Sequence, residues 1–268
     1  MLKLSKNKSH YALPFPNISP VAFSLGPISI HWYGLAYITG ILLGNELAKR
    51  ISKTINLEVN LNDLVSHIMI GIILGGRLGY VIFYDLSFYL NNPIEIIAIW
   101  NGGMSFHGGA IGAFLGTLYS CKKQTISTAK GLDILAICTT PGLFFGRIAN
   151  FINGELFGRE TNHYFGMIFP TGGNSFRHPS QLYEAALEGV LLFIILWVII
   201  TKFYKEGRVF IIFVYTYAIM RFFVEFTREP DSHLGLLTFG LSMGQWLCIL
   251  MVILGGFWNY GHHKKLLH

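Results

Sequence analysis

The sequence predicts an all-α integral membrane protein with about seven transmembrane helices. Of its 268 residues, 52% are hydrophobic and only 13% are charged, whereas about one quarter of the residues of a soluble domain are charged. The apolar residues gather into seven stretches, each near the roughly 20 residues that cross a bilayer. Three scattered cysteines and the lack of an HExxH motif argue against a disulfide scaffold and a metal site.

The seven apolar stretches are predicted as spans 1 to 7, at residues 28–48, 63–84, 94–120, 130–149, 182–203, 207–226 and 240–259. Residues 1–20 form a basic, then proline-rich tail without the apolar middle of a signal peptide. Residues 21–268 are predicted to form a single polytopic membrane domain. The longest connection, residues 150–181, lies between spans 4 and 5, and a long polar connection of this kind is often functional.

The distribution of basic residues predicts the orientation of the spans. Lysine and arginine follow spans 1, 3, 5 and 7, whereas the loops between them on the other side contain no lysine. The positive-inside rule therefore places the N-terminus outside, the C-terminus in the cytoplasm and residues 150–181 on the outer side. Lys3, Lys6 and Lys8 in the tail oppose this orientation, and the four loops outweigh them. Because the net charge of +6 is spread over several loops, a nucleic-acid partner is not expected.

Spans 2 and 3 carry glycine at every fourth position, at Gly71, Gly75 and Gly79 and again at Gly108, Gly112 and Gly116. Small residues at this spacing let helix backbones approach closely in lipid. The glycines thus indicate tight helix packing.

Span 6 carries a ladder of polar residues in the segment YAIMRFFVEFTREPD. Tyr217, Arg221, Glu225 and Arg228 fall within an arc of about 80° on one helix face. Charged groups in a span are costly and by default mark a functional site. Arg221 and Glu225 are spaced to pair at i,i+4. The alternative is a structural ion pair at the outer interface, with Tyr217 in the aromatic belt.

The end of span 4 carries a second polar cluster in GRIANFINGELFGRE. Arg147, Asn150, Asn153 and Glu155 lie there among glycines that allow sharp turns. Because arginine can hold a phosphate through two parallel hydrogen bonds, Arg147 and Arg221 predict a phosphodiester bound between them. Taken alone, the motif could equally be a polar helix terminus.

Further polar residues lie in or beside the spans. His107, in MSFHGG at the head of span 3, can exchange a proton near neutral pH, although a lone histidine on such a helix is more often structural. Tyr33, in HWYG, either lines a headgroup site or belongs to the aromatic belt. Arg77, inside span 2, is either a third cation of the cavity or a partner of Asp85. RHPSQLYEA brings Glu184 near the same outer surface.

The segment GRIANFINGELFG resembles the signature G-R-x-x-N-x-x-N-G-E-x-x-G of the prolipoprotein diacylglyceryl transferase family. The segments HWYG, GGRLGY, MSFHGG, RHPSQLYEA and YxxxRFxxEFxREPD also resemble that family, in the same order along the chain. The resemblance runs from about Ser19 to Leu250, and several ordered motifs make a chance match improbable.

The resemblance implies a reaction at the bacterial cytoplasmic (inner) membrane. A cysteine thiol in the lipobox of a prolipoprotein attacks the glycerol carbon of phosphatidylglycerol, a thioether forms, and glycerol 1-phosphate leaves. This is the first step of lipoprotein maturation. The implied partners are phosphatidylglycerol, the prolipoprotein signal peptide and the lipid bilayer. Because the substrate supplies the thiol, no metal or organic cofactor is expected and the chain's own cysteines need not act.

The chemistry of the implied reaction suggests roles for the polar residues. Arg147 and Arg221 would bind the phosphate, while His107, with Tyr217 as its candidate partner, would accept the thiol proton. The expected phosphatidylglycerol site further includes Tyr33, Asn150, Asn153, Gly154, Glu155 and Gly158. Glu225, Arg228 and Arg77 would support the site.

Other classes of protein fit the sequence less well. An intramembrane serine protease needs a serine and a histidine on separate elements, whereas Ser105 lies only two residues from His107. An anion transporter built of inverted repeats would show matching helix breaks, and the only glycine- and asparagine-rich break follows span 4. A purely structural membrane protein would not need several arginines at the outer leaflet.

Overall fold

The fold is mostly helical in the computed structural model, which describes residues 13–16, 18–230 and 235–266. These residues form seven long helices: α1 (Trp32–Thr54), α2 (Leu61–Tyr84), α3 (Phe106–Lys123), α4 (Thr128–Ile152), α5 (Ser180–Lys202), α6 (Arg208–Val224) and α7 (Met243–Leu266). Short helical turns lie at Leu86–Asn91, Pro93–Ile96, Ile99–Asn101 and Thr238–Gly240. Two strands, β1 (Val21–Leu25) and β2 (Ile28–His31), precede α1.

Among the described residues, four helices are long and apolar enough to cross a membrane, at Leu61–Tyr84, Thr128–Ile152, Ser180–Lys202 and Met243–Gly261. They support the prediction of a multi-pass membrane protein. The remaining predicted spans coincide with α1, α3 and α6, which are shorter or less apolar. The count of seven spans and their orientation stay predictions.

The hairpin of β1 and β2 was not predicted. The strands are antiparallel, with Val21 opposite His31 and Leu25 opposite Ile28. Because their side chains are largely exposed, the sequence shows no buried strand face, and apolar β2 merges with the first apolar stretch. Helix α1 consequently begins at Trp32 rather than at residue 28.

The described residues divide into two compact units. The first contains those up to Gly44, Ile137–Phe203 and those from Ile211 onward, and the second contains Asn45–Ala136 and Tyr204–Phe210. The single membrane domain expected for residues 21–268 stays a prediction.

In the second unit, α2 packs on α3 through the glycines predicted to allow close approach. A Cβ atom on Gly71 would overlap the carbonyl oxygen of Gly112, and one on Gly75 would overlap the carbonyl oxygen of Gly108. At Gly116 the obstacle would be the carbonyl oxygen of His67. The two backbones are therefore in direct contact, which only glycine permits.

Arg77 organises the segment between α2 and α3. It is 5% exposed, and its guanidinium donates to the carbonyls of Glu95, Ile96, Ala98, Gly102 and Gly103 at 2.5 to 3.2 Å. These hydrogen bonds hold the segment in two short helical turns, Pro93–Ile96 and Ile99–Asn101, rather than in one continuous helix. The apolar stretch 94–120 is accordingly helical as α3 only from Phe106, so its predicted start at residue 94 was wrong.

The alternative pairing of Arg77 with Asp85 was also wrong. The Asp85 carboxylate instead accepts a hydrogen bond from the Phe88 amide at 3.2 Å and caps the short helix Leu86–Asn91. The Arg77 guanidinium lies 5.2 Å from the centroid of the Tyr89 ring, a cation–π contact. Arg77 thus stabilises the fold of the second unit.

In the first unit, an aromatic core anchors the long connection between α4 and α5. Phe151, Met167 and Phe169 are buried together, and Phe157 and Leu182 pack against them. The connection is therefore a folded part of the first unit that lies against both helices.

The contact of α2 with α3 can be tested with a matched pair of substitutions. Gly112→Ala places a methyl group on the Gly71 carbonyl, so the helices must separate, and we expect a loss of about 1–3 kcal/mol of stability. At Gly109 on the same helix an added Cβ lies 3.7 Å from its nearest neighbour, the Ile72 carbonyl oxygen, so Gly109→Ala should not destabilise. Unfolding of the two variants in detergent checks this, and equal stabilities would contradict it.

Candidate active site

Three arginines converge on the carboxylate of Glu184 in the first unit. Glu184 is the fifth residue of α5 and is completely buried. Its Oε2 atom lies 2.8 Å from Arg147 Nη2 and contacts Arg221 Nη1, and its Oε1 atom lies 2.7 Å from Arg228 Nη1. Glu184 therefore joins the end of α4, the start of α5, α6 and the turn after α6 through ion pairs, and those with Arg221 and Arg228 are charge-assisted hydrogen bonds.

The polar ladder of α6 supplies two of these arginines and a second carboxylate. Glu225 Oε2 lies 2.9 Å from Arg221 Nη2 and 3.4 Å from Arg228 Nε, so the expected Arg221–Glu225 pair forms. Glu225 Oε1 accepts a hydrogen bond from Ser242 Oγ at 3.0 Å, just before α7. Tyr217 lies on the same helix face and interacts electrostatically with Arg221.

The signature segment at the end of α4 forms a chain of hydrogen bonds that begins at Arg147. Arg147 Nη1 donates to Asn150 Oδ1 at 3.5 Å, and Asn150 Nδ2 donates to Glu155 Oε1 at 2.9 Å. Asn153 Nδ2 reaches the same Glu155 oxygen at 3.4 Å. The Glu155 backbone carbonyl accepts from Gln181 Nε2 at 2.6 Å. This chain links the segment after α4 to Gln181 in the first turn of α5, three residues before Glu184.

Two tyrosines of α1 extend this chain. The rings of Tyr33 and Tyr37 lie 5.1 Å apart, and the two side chains interact electrostatically. Tyr37 also interacts electrostatically with Glu155. Tyr37 therefore lies between Tyr33 and Glu155 of the signature segment.

Gly158 lets the segment after α4 lie directly against the turn that carries Arg228. A Cβ atom there would overlap the Thr227 carbonyl oxygen and lie 2.8 Å from His178 Cβ. The next residue, Arg159, donates from Nε to the Arg228 carbonyl at 2.7 Å. The absence of a side chain at Gly158 thus helps to position Arg228. Gly154, at φ +66°, turns the chain between Asn153 and Glu155.

Arg177 cross-links the connection between α4 and α5 through hydrogen bonds and an ion pair. It donates to the carbonyls of Gly158 at 3.2 Å and Gly172 at 2.9 Å and pairs with Glu229 at 2.8 Å. Its neighbour His178 has a pKa lowered by burial and by His163, so His178 is neutral at pH 7.

The carboxylates of α5 are the part of the site that the sequence analysis missed. Glu184 was noted near the outer surface but was not assigned to the site, and Glu188, one turn further along, was not noted at all. Both are completely buried. Two carboxylates one turn apart at the start of an apolar stretch were the available signal, because charged groups are rare there.

His107 and Arg77 belong to the second unit, whereas the other predicted site residues lie in the first. His107 is exposed in the first turn of α3, with its ring 5.7 Å from that of Phe106. The nearby Ser105 is 5% exposed, and its hydroxyl accepts the Gly108 amide at 3.2 Å as the N-cap of α3. Ser105 thus has a capping role, which disfavours the serine-protease alternative.

The arginine cluster is suited to an anionic ligand. Arg147, Arg221 and Arg228 keep 18%, 14% and 13% of their side-chain surface exposed, so the cluster remains accessible. A guanidinium has five N–H donors, and toward the residues that the structure describes Arg147 uses Nη1 for Asn150 and Nη2 for Glu184. Donors of Arg147 therefore remain for an incoming oxyanion such as a phosphodiester.

Comparisons with known proteins agree with the sequence motifs. A family model described as prolipoprotein diacylglyceryl transferase matches residues 20–260. The phosphatidylglycerol–prolipoprotein diacylglyceryl transferase of Nitratidesulfovibrio vulgaris strain DP4 is 48% identical over 91% of this chain and 94% of its own. The proteins of the same name from Oleidesulfovibrio alaskensis and Rhodospirillum rubrum are 50% and 46% identical, over 94% and 91% of this chain and 96% and 92% of theirs.

The central role of Glu184 can be tested by Glu184→Gln. The variant leaves three partly buried guanidinium groups without the fully buried carboxylate that they share, so we expect a loss of about 3–5 kcal/mol of stability. Glu160→Gln is the matched control, because Glu160 is 66% exposed and lies 3.9 Å from Arg177. Denaturant unfolding in detergent measures both variants. A Glu184→Gln protein as stable as Glu160→Gln would show that the cluster does not hold the helices together.

Proposed function

Because the chain belongs to the prolipoprotein diacylglyceryl transferase family, we propose that it transfers the diacylglyceryl group of phosphatidylglycerol to the lipobox cysteine of a prolipoprotein. The names of the relatives contain both substrates. The observation that carries the proposal is the convergence of Arg147, Arg221 and Arg228 beside the signature segment. Such a cluster can receive the phosphate of an anionic lipid.

In the proposed reaction, the cysteine thiolate attacks the glycerol carbon next to the phosphate. The carbon–oxygen bond breaks, its electron pair stays on the phosphate ester, and glycerol 1-phosphate leaves as the thioether forms. Arg147 and Arg221 bind the phosphate and stabilise the charge that develops on it. His107 accepts the thiol proton, directly or through a water molecule, and Tyr217 is its partner.

The remaining site residues shape the phospholipid site. Asn150, Asn153 and Glu155 form the hydrogen-bond chain that begins at Arg147, and with Tyr33, Gly154 and Gly158 they are proposed to line the headgroup. Glu225 holds Arg221 and Arg228. Arg77 supports the segment before α3, whose first turn carries His107.

The membrane setting is part of the proposal. Seven spans cross the bacterial cytoplasmic (inner) membrane, with the N-terminus outside and the C-terminus in the cytoplasm. The connection between α4 and α5 then lies on the periplasmic side. The alternation of basic loops supports this orientation. A secreted prolipoprotein would present its cysteine to this side of the membrane.

The reaction can be tested with purified protein, phosphatidylglycerol and a peptide that contains a lipobox cysteine. Mass spectrometry should show the peptide gaining a diacylglyceryl group, and a peptide with serine in place of cysteine should gain nothing. Arg147→Ala should lower the rate about 10²–10³-fold, the usual effect of removing a group that stabilises developing charge.

The matched control for this assay is Arg50→Ala. Arg50 also pairs with a glutamate, Glu46, but 65% of its side chain is exposed, so its loss should leave the rate unchanged. Folded protein that gives no mass shift would overturn the transferase proposal and make anion transport the next function to test. An equal loss of rate in both variants would remove the specific role of Arg147.

The role of His107 is tested by His107→Gln. We expect turnover to fall by about 10²–10⁴-fold, the usual contribution of a general base, while phosphatidylglycerol binding is retained. The measurements are the single-turnover rate and the affinity for the lipid. His163→Gln, at an exposed histidine between α4 and α5, should change neither. Lost binding in His107→Gln would instead make His107 a ligand-site residue.

A further inference from the structure

Glu188 is a buried carboxylate that the proposed mechanism does not use. It is 0% exposed, and neither of its side-chain oxygens accepts a hydrogen bond from any described residue. Its nearest ionic contact is Arg221 Nη1, 3.8 Å from Glu188 Oε1, which is too far for a hydrogen bond. Glu184, one turn earlier on α5, instead contacts three arginines.

The backbone holds Glu188 in this position. Residues Ala185–Leu191 form π-helical turns within α5, and such turns are rare and frequent at functional sites. A Cβ atom on the next residue, Gly189, would lie 2.7 Å from Phe144 Cβ, so α5 is pressed against α4 at this point. Because of this close packing, a small shift of α5 would not expose the Glu188 side chain to solvent.

The titratable and charged groups that interact electrostatically with Glu188 come from several helices. They are Arg147 from α4, Glu184 from its own helix, Tyr217 and Arg221 from α6, Arg228 from the turn after α6 and Cys248 from α7. Three of these groups are cations, and Arg221 is the nearest of the three. The charge of Glu188 is thus balanced through space by the arginines that we assign to the lipid phosphate.

A count of charges shows what a lipid phosphate would change. Glu184, Glu188 and Glu225 are three carboxylates beside Arg147, Arg221 and Arg228, so the fully ionised cluster is neutral. A bound phosphodiester adds one negative charge, and burying an unbalanced charge is costly. Among the described residues, Glu188 accepts no hydrogen bond that protonation would remove, whereas Glu184 contacts Arg221 directly and Glu225 contacts Arg221 and Ser242.

We propose that Glu188 takes up one proton from water when the phosphodiester of an anionic phospholipid binds Arg147 and Arg221, an inference that rests on the proposed function. The phosphate pairs with Arg221 and thereby weakens the attraction between Arg221 and Glu188. Protonation of the Glu188 carboxylate then restores the neutrality of the cluster. Glu188 is thus a positioning residue that acts through Arg221. On product release the proton returns to water, and the cluster is again neutral.

Titration calorimetry tests this inference directly. Phosphatidylglycerol in detergent micelles is titrated into the protein in two buffers with different ionisation enthalpies, which gives the number of protons taken up per lipid bound. In the pH range where Glu188 is ionised without lipid, we expect about one proton for the wild type. The affinity should fall about tenfold per pH unit in that range, by linkage. Glu188→Gln is neutral at every pH and should show about zero protons and a flat affinity.

Two further variants identify the group that takes up the proton. Glu46→Gln is the matched control, because Glu46 is 50% exposed in an i,i+4 pair with Arg50, and it should keep the wild-type proton uptake. His107→Gln should keep it as well, because the inference assigns the proton to Glu188. Proton uptake that is lost in His107→Gln would overturn the assignment.

Each remaining outcome also decides the question. Lipid binding by the wild type without proton uptake would overturn the inference, even if Glu188→Gln fails to fold, and would leave the proposed function intact. Proton uptake that persists in folded Glu188→Gln would likewise overturn the inference alone. A wild-type protein that binds no phosphatidylglycerol at any pH would overturn the proposed function and this inference together.

Discussion

The carboxylate of Glu184 is the interaction on which the candidate site depends. It is completely buried and contacts arginines from the end of α4, from α6 and from the turn after α6. A buried carboxylate needs such partners, because removing it from water costs several kcal/mol. The arginines need Glu184 equally, since three guanidinium groups would otherwise repel one another. The cluster therefore fixes these chain segments relative to one another within the first unit.

The other features of the first unit follow from keeping this cluster in place. Gly158 has no side chain because the Thr227 carbonyl occupies that space, and this contact brings Arg159 to the carbonyl of Arg228. Gln181 ties the Glu155 backbone to the turn that carries Glu184. The signature segment thus contributes in two ways. Its polar side chains form the hydrogen-bond chain that begins at Arg147, and its backbone contacts hold in place the turns that carry Arg228 and Glu184. Substitutions in it would change both stability and binding.

Most of the helical framework could be predicted from the sequence, because apolar stretches and four-residue glycine spacing are local signals. The family and the transferase class were also predicted from ordered motifs, and the comparisons confirm them. Spacing along one helix predicted the Arg221–Glu225 pair, but it cannot show a partner on another helix, so Glu184 and Glu188 were missed. The alternative partner Asp85 for Arg77 was wrong for the same reason, since the partners of Arg77 are backbone carbonyls, which no sequence pattern marks. The catalytic roles stay predictions.

The balance of charges in the cluster links stability to function. A site built only from arginines would bind phosphate tightly, but the arginines would repel one another without ligand and the helices would separate. A site in which every carboxylate is held as firmly as Glu184 would be stable but would gain an uncompensated negative charge with each lipid. Among the described residues, the cluster contains two kinds of carboxylate. Glu184 and Glu225 are held by direct contacts with arginine, whereas the ionic contact of Glu188 with Arg221 is longer. An adjustable carboxylate beside two fixed ones lets the same buried cluster stay neutral with and without an anionic ligand.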